Sequence, residues 1–263
     1  MLTNTEVCYN FTSKEAEDFE KVDRLFFQKV LSVPVSIPKI AVYLEFGAMP
    51  LHMVMQVRRL NYLHSLLRSP KDGMLYKFFY VQWNFPSKGD WTELVKQDLL
   101  DFHITDNLET LAGMTKCAFK RMIKIKAMEV SFNSLRSKKQ YYKKLASLEY
   151  TGELKIQNYL SDQTLSFEDK KLIFMFRTRM ALFGENFRAG RELTVCPLCR
   201  LHVDCQSLLL QCPKLSSDLQ KKFGANHLKS IDNVYSDRIM TKTVQILTFA
   251  YRARKDKLCS DCS

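Results

Sequence analysis

PLHMVMQVRRLNYLHSLL, residues 50–67, is the stretch whose reading decides the fold. Met53, Val57, Leu60, Leu63 and Leu67 recur at the three- and four-residue spacing that lines one side of a helix. Gly47 suits a left-handed cap ending a short helix over 39–46, Pro50 suits the first position of the next, and Pro70 stops it. Working outward, the same period recurs. Thr12-Ser13-Lys14-Glu15 reads as a capping box ahead of Phe19, Val22, Phe26 and Val30, which predicts a helix over 13–31. Residues 74–84 are strongly aromatic and read as a helix or a buried strand, with the helix favoured, 90–102 read as a helix with Trp91, Leu94, Val95, Leu99 and Phe102 on one face, and 105–113 as a short one. Ser166-Phe167-Glu168-Asp169 is a second capping box that opens a helix through Leu172, Phe176 and Met180. A last helix is expected over 236–254, after a polar stretch following Pro213. Only eight glycines and seven prolines in 263 residues agree with a mainly α protein.

Forty basic residues against 28 acidic ones leave a net charge of +12, which favours a polyanionic partner. No apolar run reaches the ~18 residues needed to span a bilayer, so no membrane partner is expected. The N-terminus lacks a signal-peptide pattern and the eight cysteines include Cys-x-x-Cys pairs, both of which point to an intracellular protein of the nucleus or cytoplasm. The positive charge concentrates in 115–144. Lys116, Lys120, Arg121, Lys124, Lys126, Arg136, Lys138, Lys139, Lys143 and Lys144 stand there with Glu129 as almost the sole opposing charge, and Tyr141 and Tyr142 lie among them. Dispersed cations suit phosphates and flat aromatic faces suit unpaired bases, so these ten residues are the candidate contacts to RNA or DNA, on two helices broken near 133–137. Arg58, Arg59, Arg177 and Arg179 read equally as phosphate contacts or as packed ion pairs.

Cys196-Pro197-Leu198-Cys199 is followed by His202, Cys205 and Cys212, five potential zinc ligands in a segment too short to bury a core. Cys196 and Cys199 form the first pair and Cys212 the third ligand. The fourth is Cys205 or His202, with Cys205 favoured because His202 lies only three residues beyond Cys199. Cys259 and Cys262 offer a second pair that would make a four-cysteine ribbon with Cys196 and Cys199. Against an enzyme, there is no Gly-rich phosphate loop, His-Glu-x-x-His, Gly-x-Ser-x-Gly or Asp-Asp pair.

Four ordered stretches resemble the C-terminal part of non-LTR retrotransposon polyproteins, downstream of the reverse-transcriptase palm. They are Phe26 to Leu31 with Ser36-Ile37-Pro38-Lys39; Val42 to Gly47 with Pro50-Leu51; Arg58 to His64; and Arg177-Thr178-Arg179-Met180 leading through Asn186-Phe187 to Cys196 and Cys199. The resemblance covers about 1–213 and implies a thumb-like helical domain over 1–112, a basic helical connection over 113–190 and a zinc-knuckle-like segment over 191–215; a C-terminal helix and tail over 216–263 complete the expected organisation. The resemblance also implies binding of template RNA and target DNA without catalysis, since the family's catalytic aspartates belong to the palm, and it admits the remaining polymerase domains as partners in trans. The family knuckle carries a His about five residues before its last Cys; Ser207 stands there in this chain. The alternative is a protein-interaction scaffold, in which Phe78, Phe79 and Trp83 dock a partner in place of the polymerase core.

Overall fold

The computed structural model describes residues 13–34, 36–150, 152–181, 183, 195–224, 234–235 and 241–260. Among them the chain is mainly helical, with no strand and only isolated bridges. In chain order the helices are α1 Ser13–Leu31, α2 Lys39–Phe46, α3 Leu51–Leu67, α4 Met74–Asn84, α5 Trp91–Asp101, α6 Leu108–Gly113, α7 Lys116–Lys139, α8 Asn158–Ser161, α9 Phe167–Arg177, α10 Pro213–Phe223 and α11 Thr241–Ser260. Contacts gather them into two units, residues 1–26 with 48–135 and residues 27–47 with 136–263. These units cut across the segments expected from the sequence.

In the first unit, α3 forms because nothing between Pro50 and Arg68 breaks it and its apolar side has a neighbour along its length. Leu60, Leu63, Leu66 and Leu67 pack with Phe79 and Trp83 of α4, Val95 and Leu99 of α5, Leu111 of α6 and Phe119 and Ile123 of α7. Fully burying one such side chain contributes ~1.5–3 kcal/mol, which makes this layer the main source of the unit's stability. Polar groups inside it are matched. Arg59 donates to both Asp98 oxygens at 2.7 and 2.9 Å, and the His64 ring stacks on Phe119 while its Nε2 lies 3.0 Å from the Met114 carbonyl. Arg59 is therefore a packed ion pair. Residues 74–84 are helical, but Phe79 and Trp83 are 3% and 9% exposed and belong to the core; of the three residues expected to dock a partner, Phe78 is the exposed one, at 64%. The break expected near 133–137 is also absent. Buried Phe132 and Leu135 carry α7 through it, because their burial outweighs the modest helix propensity of Asn133 and Ser134.

The second unit is organised around a charge. Glu45, on α2, is fully buried and accepts from Arg177 Nε at 2.8 and 2.9 Å, from Tyr159 Oη at 2.8 Å and from Tyr150 Oη at 2.5 Å. Arg177 is equally buried and donates its Nη1 to the Val234 carbonyl. Burial works against the guanidinium charge, and the interactions that offset it, led by the Glu45 carboxylate, leave the Arg177 pKa raised. Arg177 thus serves packing rather than phosphate. Gly47 caps α2 at φ 60° with its amide on the Tyr43 carbonyl, and the backbone of 155–156 passes so close that a Cβ would sit 2.1 Å from the Lys155 carbonyl carbon. Ser166 caps α9 as its motif requires, accepting from the Asp169 amide at 3.2 Å. The Thr12 end of the first capping box and residues 236–240 of the expected last helix lie outside the described residues.

Candidate metal centre and basic surface

The cysteine segment folds as a tight hairpin. Val195 bridges Val203, the Cys196 amide donates to the His202 carbonyl at 2.6 Å, and the Arg200 amide donates to the Cys196 carbonyl at 2.9 Å with Arg200 in the left-handed region at φ 56°. After a turn through 206–208 and a short 3-10 stretch at Leu209–Gln211, Cys212 sits immediately ahead of α10. The result is that the sulfurs of Cys196, Cys199 and Cys212 lie within 4.8 Å of one another, with Cys196 and Cys212 at 3.9 Å. Thiolates at ~2.3 Å from a tetrahedral zinc stand about 3.8 Å apart, so these three fit a metal ion.

The electrostatics pull two of these thiols in opposite directions. Burial raises the Cys199 thiol, but the amides of Leu201 and His202 aim at its sulfur and the net shift is downward. Burial pushes the Cys212 thiol up to about 11, against the opposing pull of the Lys214 and Leu215 amides at the start of α10. Amides aimed at two of the three sulfurs are what a metal thiolate needs around it. The cavity they enclose has a volume of about 10 Å3, the scale of a single water or ion. His202 and Cys205 also line it, while the Cys205 thiol lies 3.2 Å from Ser207 Oγ and outside the close trio. Three of the four sequence-predicted ligands are thus brought together. The Cys259 side chain and Cys262 lie outside the described residues, as does Cys8.

The segment does not stand alone. Asp204 is buried and accepts from Arg254 Nε of α11 at 2.8 Å, with a second bond from Nη2, and the Arg254 guanidinium lies 4.6 Å over the Phe183 ring. Gln206 donates to the Phe176 carbonyl at 2.8 Å and to Tyr235 Oη. Leu209, Leu210, Leu215 and Leu219 are buried beside them. Nothing in the local spacing of the cysteines points to Arg254, whose pairing with Asp204 spans 50 residues.

The basic residues divide by environment. Lys116, Lys120, Arg121 and Lys124 are exposed on α7 in the first unit. Lys126 is half-buried and 3.4 Å from Glu129. In the second unit Arg136, Lys138 and Lys143 are exposed beside exposed Tyr141 and partly exposed Tyr142. Lys139 is turned inward. It donates to the carbonyls of Ala146 and Leu148, lies 5.9 Å from the Tyr150 ring centre, and burial, helped by nearby Arg136, lowers its pKa. Lys144 is half-buried with its Nζ 3.5 Å from Met180 Sδ. Among the described residues no single helix is long and apolar enough to cross a membrane. No protein-family model, curated protein or solved structure matches the chain.

Proposed function

We propose that the chain binds nucleic acid, RNA or DNA, as a non-catalytic relative of the region downstream of the palm in non-LTR retrotransposon reverse transcriptases. The observation that carries this reading is the one-signed exposure of Lys116, Lys120, Arg121 and Lys124 along α7. Four cations with no acid among them on an exposed helix side attract phosphates and repel one another, an arrangement that costs stability unless a polyanion relieves it. Arg136, Lys138 and Lys143 with Tyr141 and Tyr142 add the combination of charge and flat aromatic area that single strands use. The Cys196, Cys199 and Cys212 trio would hold zinc, with Cys205 or His202 completing a tetrahedral set and the metal serving to fix the fold.

Binding should be salt-dependent. Each phosphate deprived of its cation takes ~0.7–0.9 from the slope of log affinity against log salt, so a Lys116→Glu, Lys120→Glu, Lys124→Glu, Lys138→Glu variant should bind more weakly with a slope smaller by about 3. Lys139 stays native in this variant because its role is structural. A slope unchanged by the four reversals, or no binding to RNA or DNA by the native chain, would refute the reading.

A second reading has its own observation. Met74, Leu75, Phe78 and Val81 on α4, with Phe85 just after it, are each more than half exposed, a row that suits docking of another protein. Light scattering on the purified chain separates the two, since an orphaned apolar row drives self-association and a charged surface does not.

A further inference from the structure

Away from the cysteines, the second unit holds a cavity of about 680 Å3 between the start of α9, the end of α10 and α11. That volume lies in the range of ligand sites. Its apolar wall is Leu165, Phe223, Val244 and Phe249, and two cations, Lys222 and Arg252, share the lining. Lys222 places its ammonium 4.5 Å from the Phe249 ring centre and 5.6 Å from that of Phe223, so the rings hold the charge in place. Arg252 is 65% exposed, with its nearest acid, Asp169, 3.8 Å away. Asp169 is already engaged, accepting from Thr248 Oγ1 at 3.0 Å and from Ser166 Oγ at 2.7 Å. Asp256, also in the lining and exposed, leaves one carboxylate that can accept from an N–H donor.

A flat apolar wall with one cation held over it, a second cation in the lining and an acceptor at its edge matches the parts of one nucleotide: base, phosphate and a base N–H donor such as the N3–H of uracil. An apolar peptide side chain would use the wall but bring no anion to Lys222 and Arg252. We propose that this groove takes one unpaired nucleotide of a bound strand, which rests on the nucleic-acid reading above and adds a preference for single strands to it. The metal trio bears on it directly. Cys212 precedes α10 and Lys222 and Phe223 end it, so the two sites sit at opposite ends of one eleven-residue helix, ~16 Å long. Buried Leu215 and Leu219 hold that helix between them.

The test titrates the full chain into a short fluorescein-labelled oligo(U) strand and into an RNA duplex of equal length, followed by anisotropy. Phe249→Leu keeps an apolar wall but removes the flat ring, and Lys222→Gln keeps the stem but removes the charge. Each should weaken oligo(U) binding by about five- to tenfold while duplex binding stays within about twofold and thermal melting is unchanged. Equal weakening on both probes, or none in variants that melt as the native chain does, overturns the groove. So does an outcome in which the variants bind RNA normally and instead lose self-association by light scattering, which assigns the groove to protein contact. The two readings fail separately. Native-like binding by a Lys120→Glu, Lys124→Glu variant counts against the basic surface, whereas loss in that variant with native-like groove variants counts against the groove alone.

Discussion

Gly47 and the cluster around Glu45 show how much one position can carry. At φ 60° a Cβ is already disfavoured by ~1–2 kcal/mol, and here it would also meet backbone at 2.1 Å that cannot move without shifting the whole 155–157 stretch. Gly47→Ala should therefore lower stability by at least ~3 kcal/mol in a denaturant titration, more than Gly113→Ala, where a Cβ meets open space. Beside it, burial first and the Glu45 charge second hold Tyr150 and Tyr159 well above the usual phenol range near ~10. Because the folded value exceeds the unfolded one, the phenols' stabilisation is complete below ~pH 10 and is lost as pH rises through the folded value. The denaturant midpoint should be level from neutral pH to ~9 and fall beyond ~10, and a Tyr159→Phe chain should lose less over that interval. A native midpoint as level as that of Tyr159→Phe up to ~pH 11 would contradict the assignment.

At the scale of elements, helices that read clearly from the sequence are those whose apolar period, cap and breaker coincide. The described ranges of α3, α4, α5 and the start of α9 agree with the pattern to within a residue or two. What could not be read was set by partners. Helix α10 escaped because PKLSSDLQKKF is polar, and only Leu215 and Leu219 face the interior. The pairing of Glu45 with Arg177 spans 132 residues, so no local period announces it, and Arg177 read equally well as a phosphate contact. The metal trio was legible because Cys-x-x-Cys is a local device, while the placement of Cys205 beside Ser207 depends on the turn at 206–208. Elemental analysis tests that trio. Cys199→Ser and Cys212→Ser should lose bound zinc and Cys262→Ser should retain it, whereas loss in Cys199→Ser and Cys262→Ser with retention in Cys212→Ser would place the metal on the ribbon. With the metal removed by a chelator, α10 should also lose helical circular dichroism, since its first turn borders the ligand Cys212.

For the molecule as a whole, charge and connectivity matter most. A net charge of +12 opposes self-association and attracts polyanions at low salt, so affinities are meaningful only as a function of ionic strength. Connectivity sets a different constraint. Since α2 belongs to the unit completed by 136–263, a fragment beginning at 136 carries Arg177 without Glu45. Leaving one member of a buried pair alone costs ~3–5 kcal/mol, comparable to the whole stability of a small domain. The 136–263 fragment should therefore be unfolded or aggregated, and adding a 27–47 peptide should restore its helical signal, whereas the same peptide with Glu45→Gln should not.

The same span has a meaning in time. Glu45 leaves the ribosome 132 residues ahead of Arg177, and at ~5–20 residues per second that is an interval of roughly 7–26 s. The entire 48–135 stretch is synthesised inside it. Throughout that interval the Glu45 carboxylate must stay hydrated, so α2 cannot dock early even though its Ile40, Val42 and Leu44 favour collapse. On ribosomes stalled before Arg177 emerges, residues 39–46 should be open to protease, and they should become protected only once the later helices have cleared the tunnel. A helix this apolar that must wait this long offers a chaperone an uncovered apolar segment on the nascent chain.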